Sequence, residues 1–99
     1  MKVISKKILP KYYNGLIERR KTCELRKDDS DYEVGDLLVL REWDGTKYTG
    51  RFRVVQITYI MRNMEEYGLK DGYAILCFNT QILPLLLEEA ILSFLKEKE

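Results

Sequence analysis

Ninety-nine residues, 45% of them hydrophobic and 33% charged, fit one soluble globular domain with a single core and exclude both a disordered chain and a second domain. No apolar run approaches the roughly 20 residues that cross a bilayer, and MKVISKKILPKYY lacks the long apolar core of a signal peptide, so a cytoplasmic protein without a membrane partner is expected. Histidine is absent, which excludes Ser-His and Cys-His nucleophiles and His-based zinc sites, while the net charge of +1 hides a basic N-terminal third.

In chain order, Val3 to Leu9 reads as a short first strand or an extended lead-in. Pro10 suits a first helical turn, and Tyr13, Leu16 and Ile17 follow at helical spacing, which predicts a helix over Pro10 to Arg19 despite Asn14-Gly15. Thr22 to Arg26 reads as a strand and KDDSD as a polar turn. Leu37 to Trp43 is the next strand, its continuous apolar start predicting burial on both faces. Asp44-Gly45-Thr46-Lys47 is a hairpin turn into a strand over Tyr48 to Ile60 that bends near Gly50. Met61 to Asp71 is polar, with a helical turn around Met64 to Tyr67, and Tyr73 to Phe78 is a strand of core character. Pro84 then opens a terminal helix to Lys96, with Glu88 and Glu89 near its positive end. The order fits an α+β, mainly β domain over residues 1–99, with 80–99 a C-terminal helical extension. A small curled sheet or open barrel with helices at its ends would hide the strand edges.

Charge gathers at one place. Residues 1–27 hold nine Lys/Arg and two Asp/Glu, and residues 28–99 hold eight and fourteen, so the two parts either neutralise each other across the folded surface or leave a basic face for phosphates. Within the basic third, Lys21, Glu24 and Arg26 crowd one short segment. In a strand Glu24 and Arg26 share a face, with Cys23 and Leu25 on the other. Either this is a structural ion pair or it is the wall of a binding cleft, where Glu24 accepts from a base edge and Arg26 pairs with a phosphate or carbonyl. Lys21 stands beside Arg19 and Arg20 at a helix-to-strand turn, where solvation and phosphate binding are both open readings. Arg41, Glu42 and Trp43 read as a rim salt bridge with an aromatic cap on the core. Asp36 is expected to fix the Gly35 turn. Among seven tyrosines, Tyr48 and Tyr59 are the stacking candidates, while Tyr12, Tyr13, Tyr67 and Tyr73 are expected to pack with one edge wet. Cys23 and Cys77 fit no metal-ligand spacing and are expected as buried free thiols; neither a metal nor a cofactor is expected.

The runs K-T-C-E-L-R from Lys21, D-Y-E-V-G-D-L-L-V-L-R-E-W from Asp31, Y-T-G-R from Tyr48 and I-T-Y-I from Ile57 resemble the ASCH domains. The resemblance continues through Gly68-Leu69 and Gly72-Tyr73, covers residues 6–78, and is greatest to a small bacterial and phage branch of unassigned function. It implies a PUA-like mixed pseudo-barrel with a cleft beside the helix-to-strand turn, and recognition of RNA or of a modified nucleoside, by fold-level analogy. The pattern G-x-K-T-x-E-x-R usually places Gly at the helix end, where this chain has Arg19. One enzymatic branch hydrolyses the amide of N4-acetylcytidine with a Lys, a Thr and a distant Glu. Lys21 matches that lysine, but Glu24 stands where the catalytic threonine would be, and without the hydroxyl that nucleophilic route is closed.

The expected function is therefore a non-enzymatic RNA- or nucleotide-binding module, with Lys21, Glu24 and Arg26 lining its cleft. Arg19, Arg20 and Arg51 would lend positive potential and Tyr48 would stack on a base. Two alternatives stand beside it. One is a small hydrolase of a modified nucleoside with Lys21 and Glu24 as an acid–base pair. The other is a phage or host protein-interaction domain whose contacts come from the LPLLLEEAILSFL helix, which equally serves as a packed element of a monomer or as a weak homodimer contact.

Overall fold

Five strands form one mixed sheet in the order Val3–Ile8, Leu37–Trp43, Tyr48–Met61, Tyr73–Phe78, Cys23–Lys27. In the computed structural model, which describes residues 1–79 and 85–98, they are β1 (Val3–Ile8), β2 (Cys23–Lys27), β3 (Leu37–Trp43), β4 (Tyr48–Met61) and β5 (Tyr73–Phe78). Helix α1 (Pro10–Ile17) links β1 to β2, a short 3-10 turn covers Glu65–Tyr67, and α2 (Leu85–Lys98) closes the chain. The predicted opening of that helix at Pro84 lies outside the described residues. The domain is α+β and mainly β, as its sequence predicts.

β1 runs parallel to β3, from Val3 opposite Leu37 to Ile8 opposite Glu42, and the other three pairings are antiparallel. The β3–β4 hairpin closes because Asp44 Oδ1 accepts from the backbone N–H of Thr46 and Lys47, while Gly45 takes φ 110°. The bend expected near Gly50 is a register shift. Arg41 pairs with Phe52 and Trp43 with Tyr48, so residues 49–51 loop out opposite Glu42. A second shift between Ile57 and Tyr59 marks where β4 leaves β3 and takes β5 as its partner.

Leu38 and Leu40 of β3 face Val55, Ile57, Ala74, Leu76 and Phe78 in the core, while Val39 is equally buried on the opposite face. The unbroken apolar start of β3 follows from that two-sided burial. α1 contributes Tyr13 and Leu16 to the core, and the Tyr13 hydroxyl donates to the Phe52 carbonyl. The turn before β3 is fixed as expected: Asp36 accepts from the N–H of Glu33 and of Lys2, and Gly35 has φ 98°.

The sheet curls until its two edge strands meet across a gap. The Arg26 guanidinium of β2 donates to the Lys7 carbonyl of β1, and the Lys6 ammonium lies 3.3 Å from Asp29 just beyond β2. Several expectations need correction. The helix stops at Ile17 rather than Arg19, because Arg19 adopts a left-handed backbone. β2 spans Cys23–Lys27 rather than 22–26. Cys23 is exposed and Cys77 half-buried, since both stand on the outward face of the β2–β5 pair. Tyr67 projects into solvent from the 3-10 turn at 76% exposure instead of packing by one edge.

Candidate functional site

The gap between β1 and β2 holds a recess of about 380 Å³, walled by Lys7, Ile8 and Leu9 on one side and by Lys21, Glu24 and Arg26 on the other, with Tyr12 over it. Strand parity turns Glu24 and Arg26 toward the recess and Cys23 away from it, while Leu25 between them also borders the hollow. Lys21 arrives by a different route. α1 ends in a Schellman arrangement, in which the Arg19 N–H donates to the Leu16 carbonyl and the Arg20 N–H to the Gly15 carbonyl. The Lys21 N–H joins the same Gly15 carbonyl at 3.0 Å, which folds the chain back over the helix. A methyl group at Gly15 would sit 3.4 Å from Lys21 Cβ, an ordinary contact that shows how closely the returning chain passes the helix.

Glu24 is buried, with 6% of its surface exposed, and both of its carboxylate oxygens are engaged. Lys21 Nζ lies 2.9 Å from Oε1 and also donates to the Cys23 carbonyl at 2.7 Å. Arg26 donates to Oε2 from Nε at 2.8 Å and from Nη2 at 2.5 Å. A carboxylate between two cations leaves one positive charge in excess, and Glu24 holds both cations in fixed orientation. The ion pair and the cleft wall, alternatives in the sequence, are the same three residues.

A second recess, of about 390 Å³, adjoins the first and is lined by Lys11, Tyr12, Gly15, Arg20 and Lys21. Tyr12 and Lys21 therefore divide two basic hollows. Tyr12 is 47% exposed, and the Lys11 and Lys21 ammonium groups lie 5.6 and 5.4 Å from its ring centroid. Arg20 borders this second hollow while paired with Glu18 at 2.9 Å. Arg19 is exposed and lines neither hollow.

Arg51 and Tyr48 stand elsewhere. The looped-out residues 49–51 carry Thr49 and Arg51 over the buried Glu42. Thr49 Oγ1 donates to it at 2.6 Å, and Arg51 forms a two-pronged contact from Nε at 2.8 Å and Nη2 at 2.6 Å. These bonds, the Arg51 pair foremost, hold the Glu42 carboxyl below the ordinary carboxylate range against the opposing effect of its burial. The Arg51 guanidinium also lies 4.7 Å from the Tyr13 ring centre, where burial raises the phenol against the nearby arginines. Tyr48 packs edge-on to Trp43 with the Arg41 guanidinium 3.9 Å from its ring. The rim salt bridge read from Arg41-Glu42-Trp43 needs correction: Glu42 carries an ion pair, but its cation is Arg51 of β4.

The structure thus brings Lys21, Glu24 and Arg26 together, sets Arg20 beside them, and places Arg51, Tyr48 and Arg19 outside the recesses. Sequence reasoning missed Tyr12 and Lys7. The available signal was the spacing in α1: if Tyr13 and Leu16 face the core, Tyr12 stands on the flank toward the chain that leaves the helix. Among the described residues no group of three or more Cys, Asp and Glu is placed to hold a metal, and no helix is long and apolar enough to cross a membrane.

Comparison with known proteins places the chain in a family. An uncharacterized 12.9 kDa protein in the GpA 3′ region of Escherichia phage P2 is 36% identical over 95 residues, spanning 93% of this chain and 83% of its own length. Residues 5–78, the stretch that holds both β1–β2 recess walls, match the family described as Domain of unknown function (DUF3850), and the chain belongs to that family.

Proposed function

We propose that the protein is an ASCH/PUA-like recognition module that binds RNA or a nucleotide in the recess between β1 and β2. The observation that carries this reading is the convergence of Lys21, Glu24 and Arg26 on an open hollow with positive charge in excess. A phosphate fits that excess charge, since Arg26 and Lys21 are already oriented by Glu24 and need little reordering to receive an anion. A base fits against the exposed face of Tyr12, a contact worth ~1–3 kcal/mol in single-strand binders. The second hollow, with Lys11 and Arg20, extends the basic track beyond the base and suits the next phosphate along a strand.

The hydrolase reading draws on the 2.9 Å contact of Lys21 with Glu24, which is within proton-transfer reach. Against it, the residues that line the recess include no Ser, Thr or Cys, and both Glu24 oxygens already accept from cations. Recognition is the better supported of the two.

Fluorescence anisotropy with short single-stranded RNAs and nucleoside monophosphates, at two salt concentrations, tests the proposal. Binding is expected to weaken with salt, and Lys21→Ala and Arg26→Ala each to weaken it about tenfold, with circular dichroism unchanged. Tyr12→Ala is expected to lower affinity by ~1–3 kcal/mol at either salt concentration. No binding at low salt, or binding indifferent to Lys21→Ala and Arg26→Ala, overturns the reading. Turnover of N4-acetylcytidine that is lost in Lys21→Ala would favour the hydrolase instead.

A further inference from the structure

Cys23 and Cys77 are direct partners across β2 and β5, and the recognition reading makes no use of either. Their pairing type follows from the bonds that flank them. The Phe78 N–H donates to the Thr22 carbonyl at 3.0 Å, and the Asp28 N–H to the Gly72 carbonyl at 2.8 Å. Thr22/Phe78 and Asp28/Gly72 are thus hydrogen-bonded pairs, so by alternation Cys23/Cys77 is a non-hydrogen-bonded pair. Such pairs bring Cα atoms to about 4.5 Å, with both side chains on the same face and Cβ atoms at the close end of the cross-strand range. A disulfide needs Cα atoms roughly 4.4–6.8 Å apart, so the backbone need not move far for the sulfurs to join. The shared face is the outer one. Cys23 is exposed and Cys77 half-buried, so a small reagent reaches the first thiol and the second stands beside it.

We propose that Cys23 and Cys77 form a redox-reactive dithiol that closes to a disulfide by exchange with a low-molecular-weight disulfide of the glutathione class. The Cys23 thiolate attacks one sulfur of the reagent, the reagent's S–S bond breaks, and one equivalent leaves as thiolate and takes up the proton that Cys23 lost. The Cys77 thiolate then attacks the Cys23 sulfur of the mixed disulfide, releasing the second equivalent in the same way. Two protein thiols are oxidised and one reagent disulfide is reduced to two thiols.

The bridge would tie the edge strand β2 to β5 one residue before Glu24 and at the residue whose carbonyl receives Lys21 Nζ. It therefore fixes one wall of the recess without touching its inner face. The inference stands whether or not the recess binds RNA.

The test is oxidation of the full chain in a glutathione buffer, quenched by alkylation and read by mass spectrometry, for the native and the guanidinium-denatured protein. The expected product is a monomer lighter by two hydrogens, whose digest contains the Cys23–Cys77 cross-link, formed at least about tenfold faster in the native chain because the fold has already brought the thiols together. Thermal unfolding should shift upward on oxidation and return with dithiothreitol. Cys77→Ser is expected to stop at the Cys23 mixed disulfide. A native chain that closes no faster than the denatured one, that accumulates the mixed disulfide with Cys77 intact, or that forms only intermolecular dimers overturns the proposal.

Discussion

Arg19 shows how one residue can be legible as odd and still mislead about its effect. It stands where the ASCH pattern that the sequence resembles has glycine, and its backbone is left-handed at φ 59°, a region that costs a residue with a Cβ roughly 1–2 kcal/mol. The strain comes from the end of α1, where the Schellman bonds of Arg19 and Arg20 require that conformation at the position after the cap. Arg19→Gly removes the strain, while the more flexible unfolded chain takes back part of the gain. The expected net effect is a stabilisation of about 0.5–1 kcal/mol, read as a higher urea midpoint. Because Arg19 lines neither hollow, the proposed RNA binding should change far less in Arg19→Gly than in Lys21→Ala. An unchanged or lower midpoint would mean that the side chain makes up for its backbone elsewhere.

At the scale of elements, the strands that face the core were readable and the contacts made by edges were not. β3 and β5 have the predicted limits; the apolar run of β5 ends where its burial ends, while in β3 burial continues past Leu40 through Arg41 and Glu42. The parallel pairing of β1 with β3 and the approach of β1 to β2 are long-range events that no local pattern encodes. Lys21, Glu24 and Arg26 were legible because the strand period places two of them on one face, whereas Tyr12 and Lys7 become wall residues only when the sheet curls. Glu88 is the clearest case. Its place in the first turn of α2 suits the helix dipole, but the residue is 1% exposed and its Oε2 accepts the Val54 N–H at 2.7 Å. The Ile57 N–H donates to the Asp36 backbone carbonyl, so by alternation Val54 points its N–H away from β3, and β5 joins β4 only from Ile57 onward. Glu88 thereby fills an otherwise open edge of β4. Glu88→Ala leaves that buried N–H without its acceptor and should cost about 1–3 kcal/mol in chemical denaturation, while Glu88→Gln keeps an oxygen there and should cost less. Equal losses in the two variants would assign the effect to the charge and its neighbour Arg53, 3.9 Å away, rather than to the Val54 bond.

For the whole molecule, the charge asymmetry is resolved in part by ion pairs between the basic N-terminal third and the rest of the chain. Lys2 meets Glu33 and Asp36, and Lys6 meets Asp29, so part of the basic N-terminal third is neutralised across the fold, while Lys11, Lys21 and Arg20 remain together around the hollows. The neutralising carboxylates set how the protein responds to acid. Burial pushes Asp36 upward, but the Lys2 backbone N–H, the Lys2 ammonium and the Glu33 N–H outweigh it and hold the carboxyl below its ordinary range. Bonds from Lys6 do the same for Asp29, and those from Arg51 for Glu42. A carboxyl held low in the folded chain contributes its full stability above the unfolded value and loses it as pH falls through the folded one. The thermal midpoint should therefore be level near neutrality and fall progressively below about pH 4. Asp36 is the decisive group, because it joins the start of β1 to the turn before β3 through two backbone N–H groups. Asp36→Asn has one acceptor oxygen where the carboxylate has two, and no charge, so it should unfold earlier at neutral pH yet lose less on acidification. Midpoint-against-pH curves for the two proteins should then converge toward low pH; parallel curves would place the acid-sensitive groups away from Asp36.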